Sequence, residues 1–195
     1  MSEQTYHVHH LRSIYRGFLK LDLYDATIER GDRKVEVVRE VHDHGNGAAV
    51  LPYDEARRTC LLVRQVRVPV HVAEGNGLIL EVAAGVIDPE DASPAEAARR
   101  EAAEELRYHV HDLQSVGMFY PMAGLVTEQM NCFLARYTPA DRIESGYEQD
   151  DDEVIDVEEW GLKDLWEAFR DGRLRDGKAI VCLQALRIER PDLFV

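Results

Sequence analysis

The sequence predicts an α+β protein: a mixed β-sheet with helices packed on its faces, preceded by an antiparallel β elaboration. Three observations lead there. Apolar and polar residues alternate with period two through FLKLDLYDATIE and again through KVEVVREV, as strands with one buried face do. Short apolar runs bounded by turn residues follow, and segments of helical period come between and after them without regular βαβ alternation. At 195 residues the chain can bury a sizeable core, which suits one domain plus an elaboration rather than two independent domains. The expected division is an N-terminal strand region over residues 1–45 and a main domain over 46–195.

In chain order, the opening HVHH groups His7, His9 and His10; these could take a transition metal, but the stretch reads as a frayed, solvated terminus. From Phe18 the two alternating segments form a hairpin turned at Gly31-Asp32. The loop DHGNGA leads to Ala48–Leu51, and after YDEARR comes CLLVRQVRV, a second strand pair. Leu78–Val82 is a strand that delivers Gly85. Beyond the central helix, QSVGMFY and QMNCFLARY are strands joined by PMAGLVTE, followed by the polar, loop-like DRIESGYEQDDDE and a last strand over residues 155–160. Leu162, Leu165, Trp166 and Phe169 recur at helical spacing up to Gly172, and Ile180, Leu183, Leu186 and Arg187 mark a final helix before Pro191.

The formal net charge of −14 disfavours a bare nucleic-acid partner, whose phosphates it would repel, but not a nucleotide held through a metal. No run approaches a membrane span and the N-terminus has no apolar signal region, so a soluble, cytoplasmic protein without a membrane partner is expected. Cys60, Cys132 and Cys182 are odd in number and far apart, which speaks for core fillers over a disulfide framework or a thiolate zinc site. His109 and His111 share one face of an extended segment and read as a solvent-facing pair.

The chain is organised around residues 81–108, EVAAGVIDPEDASPAEAARREAAEELRY. Ser93 is the predicted N-cap, Pro94 suits the first helical position, and Glu96 completes a capping box. Alanines sustain the helix to Leu106. Glu101, Glu104 and Glu105 then fall at i, i+3 and i+4 on one face, where three carboxylates repel one another unless a cation intervenes. Hard oxygen donors with room for water and phosphate suit Mg2+. Glutamates and arginines at such spacings also decorate ordinary solvated helices.

Gly85 followed by Arg100-Glu101-Ala102-Ala103-Glu104-Glu105 resembles the Nudix box, G-x5-E-x7-R-E-U-x-E-E-x-G-U with U aliphatic. The chain departs from it in three ways. Glu101 lies one residue farther from Gly85, which leaves the loop acid open between Glu90 and Asp91. The aliphatic position holds Ala102, and the closing glycine is Arg107, for which a different helix exit is expected. Further stretches, REVHDHGNGAAVLPY, VRQVRVPV, ILEVAAGVIDP, LVTE and GRLRDGK, are similar to the Nudix subgroup that cleaves nucleoside diphosphate sugars. The similarity runs from about residue 18 onward.

That resemblance implies a Nudix-type α/β/α sandwich around a mixed sheet and a homodimer built through the N-terminal hairpin. It implies Mg2+ as cofactor, with Mn2+ as an alternative, held by Glu101, Glu105, the backbone carbonyl of Ala84 beside a bend at Gly85, and Glu153. Glu104 would stand in the same shell or orient water, and Arg100 would tie the helix to Asp91 or Glu90. Glu153 is also the candidate base, with Asp151 and Asp152 as neighbours; a solvated charge run is the other meaning of that cluster. Substrate contacts fall to Arg39, Glu40, Arg67, Gly85, Thr127, Glu128, Asp152 and Lys178. The implied reaction is attack of water on one phosphorus of a pyrophosphate, giving a nucleoside monophosphate and a sugar phosphate. GDP-mannose comes before ADP-ribose as substrate, because Met122-Ala123-Gly124 stands where relatives that cleave ADP-ribose carry Ser-Pro-Gly. A catalytically idle nucleotide sensor and a hydrolase of dinucleoside polyphosphates or oxidised nucleotides remain as alternatives.

Overall fold

The computed structural model describes residues 4–144 and 154–195. The chain divides into two units: residues 1–46 with 120–129, and residues 47–119 with 130–195. The loop 120–129, assigned from sequence to the main domain, therefore belongs with the N-terminal unit.

The first unit is an antiparallel three-stranded sheet in the order β1 (Gln4–Arg16), β2 (Lys20–Arg30), β3 (Arg33–Asp43). The β2–β3 pairing runs unbroken from Lys20↔Asp43 to Arg30↔Arg33, and Gly31 supplies the positive φ of 58° that the tight turn needs. HVHH is not a frayed end: it lies within β1, His7 opposite Thr27, His9 opposite Asp25 and His10 opposite Tyr24. Register shifts between His10 and Arg12 and between Ser13 and Tyr15 break the period-two pattern that would have revealed this strand. Val126 bridges His42 in parallel, and the Thr127 N–H donates to the His42 carbonyl at 2.9 Å, so the loop 120–129 extends the end of β3.

The second unit is a mixed seven-stranded sheet. Its path is β10 (Ile155–Gly161), β5 (Thr59–Val66), β4 (Gly47–Asp54), β9 (Met130–Arg136), β8 (His111–Phe119), with β6 (Leu78–Glu81) paired to β5 and β7 (Ala83–Val86) paired to β4. β4 and β9 run parallel; the other pairings are antiparallel. Both faces are covered. Ala49, Leu51, Leu62 and Leu134 pack with residues of α3 (Leu162–Arg170) and α4 (Gly177–Glu189), while Ala48, Val50, Leu61, Val63 and Ala135 pack against α2 (Pro94–Glu101). A strand buried on both sides reads as an unbroken apolar run, which is why AAVL shows no alternation. The arrangement is the α/β/α sandwich expected. Cys60, Cys132 and Cys182 are buried and free.

Two local features differ from the sequence reading. The strand expected over Leu78–Val82 is β6 and ends at Glu81; Gly85 lies not in a turn but in a second strand, β7, which pairs with a different neighbour, and between the two the Val82 N–H reaches the Asp176 carboxylate at 3.4 Å. A short helix, α1 (Val68–Glu74), intervenes before β6 with no buried residue, so it has no amphipathic signature to detect.

α2 begins as read. The Ser93 hydroxyl accepts from the Glu96 N–H at 3.3 Å, but Glu96 pairs with Arg99 at 2.8 Å instead of closing the capping box. Past Glu101 the helix widens into a π turn over Ala102–Leu106, a form that recurs at functional sites. Arg107 ends it at φ 62°, ψ 40°, its N–H bonded to the Ala102 carbonyl. The exit is thus the left-handed one that a glycine would make, contrary to the expectation of a different path. A side chain is strained there, so Arg107→Gly should raise stability by about 1 kcal/mol. For a chain of this size that means a melting midpoint about 2–4 °C higher. A fall in the midpoint would mean that the Arg107 side chain, not its backbone, holds the helix end.

Candidate active site

Small residues set the distance between α2 and the sheet. Ala97, Ala98 and Ala102 are fully buried against a face that includes Ala48, Ala83 and Ala135, which lets helix and strand backbones approach closely. This brings the carboxylates one turn along the helix against β7. Glu105 is 4% exposed, and its Oε2 accepts from the Ala84 N–H at 3.1 Å. In an extended strand the N–H and C=O of one residue leave by the same edge, so the Ala84 carbonyl shares that side.

Glu101, 8% exposed, fills the space above Gly85. A Cβ built on Gly85 would overlap this carboxylate, with even the farther oxygen, Oε2, only 2.8 Å away. Gly85 is not among the residues with positive φ; it is required for the close approach of Glu101 rather than for a backbone bend.

Arg100 binds the cluster together. Its Nη1 donates to Glu101 Oε1 at 2.7 Å and to Glu104 Oε2 at 2.9 Å, Nη2 to the Val86 carbonyl at 3.0 Å, and Nε and Nη2 to the two Asp91 oxygens at 3.3 and 3.1 Å. The loop acid left open from sequence is Asp91; Glu90 is exposed. Asp91 stands six residues past Gly85, as the box requires, so the additional residue falls between Asp91 and Arg100. The Arg100 guanidinium holds the Asp91 carboxyl below its usual range. Burial opposes the charge on Arg100, but Asp91, Glu101 and Glu104 outweigh it and push its pKa up.

The donors fit a hard divalent cation. Glu101 and Glu105 are buried carboxylates against one strand, and the cradle over Gly85 exists only without a Cβ. Among the described residues no three His, Cys, Asp or Glu side chains group closely enough to hold an ion by themselves. Mg2+ needs no such cage, since one or two carboxylates with water and substrate phosphates suffice.

Of the substrate candidates, Arg67 and Lys178 lie in the second unit. Nε and Nη2 of Arg67 donate to Glu81 Oε2 at 2.9 and 2.7 Å, and Lys178 Nζ donates to Asp176 Oδ1 at 2.9 Å. Arg39, Glu40, Thr127 and Glu128 lie in the first unit. There Arg39, Glu40 and Thr127 line a groove of about 500 Å³ with Tyr24 and Val41, while Glu128 faces His44 Nε2 at 3.7 Å. Asp151, Asp152 and Glu153 lie outside the described residues. His111 pairs with Asp141 at 2.8 Å instead of forming a free surface pair with His109. Sequence reasoning missed Glu81 and Asp176. The signal for Glu81 was a charge inside the apolar run LILEV, since such a residue in a buried strand must be paired.

A mixed sheet between helices, with the Gly85 and Glu101–Glu105 constellation at one strand, defines a Nudix-type hydrolase. Residues 43–180 match the NUDIX domain family, and the chain belongs to it. It is 38% identical over 177 residues to the GDP-mannose pyrophosphatase of Yersinia pestis (strain Pestoides F), covering 89% of this chain and 87% of that protein. The GDP-mannose pyrophosphatase of Klebsiella pneumoniae subsp. pneumoniae is 40% identical over 151 residues, 76% of this chain and 74% of that one. In fold it is similar to a crystal structure of an ADP compounds hydrolase, with a TM-score of 0.75 at 19% identity, covering 100% of this chain and 98% of that one. Hydrolases of this family generally use a divalent metal. Among the described residues no helix is long and apolar enough to cross a membrane.

Proposed function

We propose that the protein hydrolyses the pyrophosphate bond of a nucleoside diphosphate sugar, GDP-mannose before ADP-ribose, to a nucleoside monophosphate and a sugar phosphate. The observation that carries the reading is the pair of buried carboxylates against β7: Glu105 on the Ala84 N–H, Glu101 in the space that Gly85 leaves. The names of the relatives support the substrate class. The ion of the proposal is Mg2+, with Mn2+ as a substitute; when bound it would screen phosphate charge, lower the pKa of water and stabilise the leaving oxygen. Glu101, Glu105 and the Ala84 carbonyl are its proposed ligands, with Glu153 completing the set.

Arg100 holds Glu101 in place from behind while tethering the loop at Asp91. Glu104 orients the attacking water, and Glu153, with Asp152 beside it, takes its proton. Arg67 and Lys178 bind phosphate oxygens. Arg39 and Glu40 are the proposed contacts of the base or sugar, reached across the dimer, with Thr127 and Glu128 as further proposed substrate contacts. The proposed assembly is a homodimer through the first unit, residues 1–45 of the predicted division. In support, β1 is an edge strand exposed along its length that shows Tyr6, Val8 and Tyr15 to solvent, a surface a second copy would cover.

The test is phosphate release, coupled to a phosphatase, from a panel of nucleotide sugars, dinucleoside polyphosphates and oxidised nucleotides with and without Mg2+. Magnesium-dependent turnover that is fastest with a nucleotide sugar is expected. One observation favours a second reading, an idle sensor: the Arg100 guanidinium already neutralises Glu101 and Glu104. Binding without turnover across the panel would select it.

A further inference from the structure

The two cations assigned to phosphate are each set against a buried carboxylate, and the two carboxylates have different duties. Asp176 is occupied by structure. It caps α4 through the N–H groups of Lys178 and Ala179 at 3.3 and 3.1 Å, and it accepts from Val82 N–H. Glu81 is not so occupied. Its hydrogen bonds to described residues come from side chains, Arg67 at 2.9 and 2.7 Å and Gln65 Nε2 at 3.3 Å, all to one oxygen.

The exposure is asymmetric: the Glu81 side chain is 6% accessible and that of Arg67 37%. The carboxylate is thus sunk in the protein while the cation reaches the surface. Such a pair is a poor device for stability, because desolvation consumes much of its attraction and apolar residues of equal volume do as well. It is a good device for aiming a guanidinium, whose Nε and Nη2 edge is held by two bonds that converge on Glu81 Oε2.

The backbone of Arg67 is fixed as well. Its N–H donates to the Gly77 carbonyl at 2.9 Å, and a Cβ at Gly77 would come within 2.8 Å of the Arg67 carbonyl and 2.9 Å of His71 Cβ. Gly77 therefore allows the α1 loop to close tightly behind Arg67. Lys178 lies in the same electrostatic neighbourhood. Burial works against its charge, Asp176 and then Glu81 raise its pKa, and Arg67 opposes them.

We propose that Glu81 is a positioning residue for the reaction, fixing the Arg67 guanidinium in the orientation that meets the substrate pyrophosphate. This rests on the nucleotide-sugar reading for the identity of the substrate. It does not rest on turnover, because the arrangement would equally aim Arg67 at a diphosphate that is only bound.

The test is a double-mutant cycle of wild type, Glu81→Gln, Arg67→Gln and the double variant. It is read by calorimetric binding of inorganic pyrophosphate with Mg2+ and by kcat and KM for GDP-mannose. Arg67→Gln is expected to weaken pyrophosphate binding about 100-fold and Glu81→Gln about 10-fold, mainly in KM, with the double variant no weaker than Arg67→Gln alone. Glu81→Asp, which keeps the charge but not the length, should bind better than Glu81→Gln; a role confined to packing predicts the reverse, since Gln conserves volume. If Glu81→Gln does not fold, the loss in Glu81→Asp must vanish in the Arg67→Gln background.

Multiplying effects in the double variant, or wild-type binding by Glu81→Gln beside an impaired Arg67→Gln, would overturn the inference and leave the function standing. Wild-type binding by Arg67→Gln would overturn both the inference and the phosphate role of Arg67. Normal coupling without turnover of any nucleotide sugar would sustain the inference and overturn the hydrolase reading.

Discussion

Glu105→Gln is expected to lower kcat at least about a hundredfold, a loss of roughly 3 kcal/mol in transition-state stabilisation, with the fold intact. The structural half follows from what Glu105 touches. Its Oε2 accepts the Ala84 N–H at 3.1 Å, and the carbonyl oxygen of a glutamine can accept the same bond with almost the same volume. What disappears is the negative charge, buried beside a strand edge where the local dielectric magnifies its hold on a cation. The Mg2+ concentration for half-maximal rate should therefore rise along with the fall in kcat. The melting midpoint without metal should stay near that of wild type. Wild-type activity at low Mg2+ would remove Glu105 from the ion's ligands and with it the reading of this face of α2.

How much of this was legible in the sequence depended on whether each feature had a local cause. The central strands β4, β5 and β9 were readable as apolar runs because both faces of the sheet are covered there. The start of α2 was readable because Ser93 caps it by a bond that spans only three residues. β1 was not, since its bulges break the alternation and its side chains are exposed. The separation of β6 from β7 was hidden as well. An apolar run has no mark where it changes partner, and the Asp176 that takes the Val82 N–H is distant in sequence.

At the site, the helical spacing correctly placed Glu101 and Glu105 on one face. The choice between Glu90 and Asp91 needed the position of Arg100, which spacing lengthened by one residue could not supply. Gly85 was recognised for the wrong reason. Its value lies in the Cβ it lacks beside Glu101, a tertiary contact, and not in its own dihedral angles. Glu81 was missed because its meaning depends on Arg67, which lies just past the end of β5 and 14 residues away in the chain.

That reason for Gly85 makes a second strong prediction. Gly85→Ala should reduce kcat/KM about a hundredfold while the protein still folds. The added methyl group would overlap the Glu101 carboxylate. That group is the tip of a flexible side chain, so the clash can be relieved by moving Glu101 and leaving the β4–β7 pairing in place. The strand has no objection to alanine, since Gly85 needs no positive φ and pairs with Ala48 in an ordinary antiparallel ladder. The displaced carboxylate would still be tethered by Arg100, so it would swing away from the strand without leaving the neighbourhood. A displacement on the order of 1 Å is enough to cost about two orders of magnitude in a reaction that depends on alignment. The measurement is kcat/KM alongside the melting midpoint. Full activity in Gly85→Ala would show that Glu101 can do its work from a displaced position, and the closeness of helix to strand would then have no catalytic meaning.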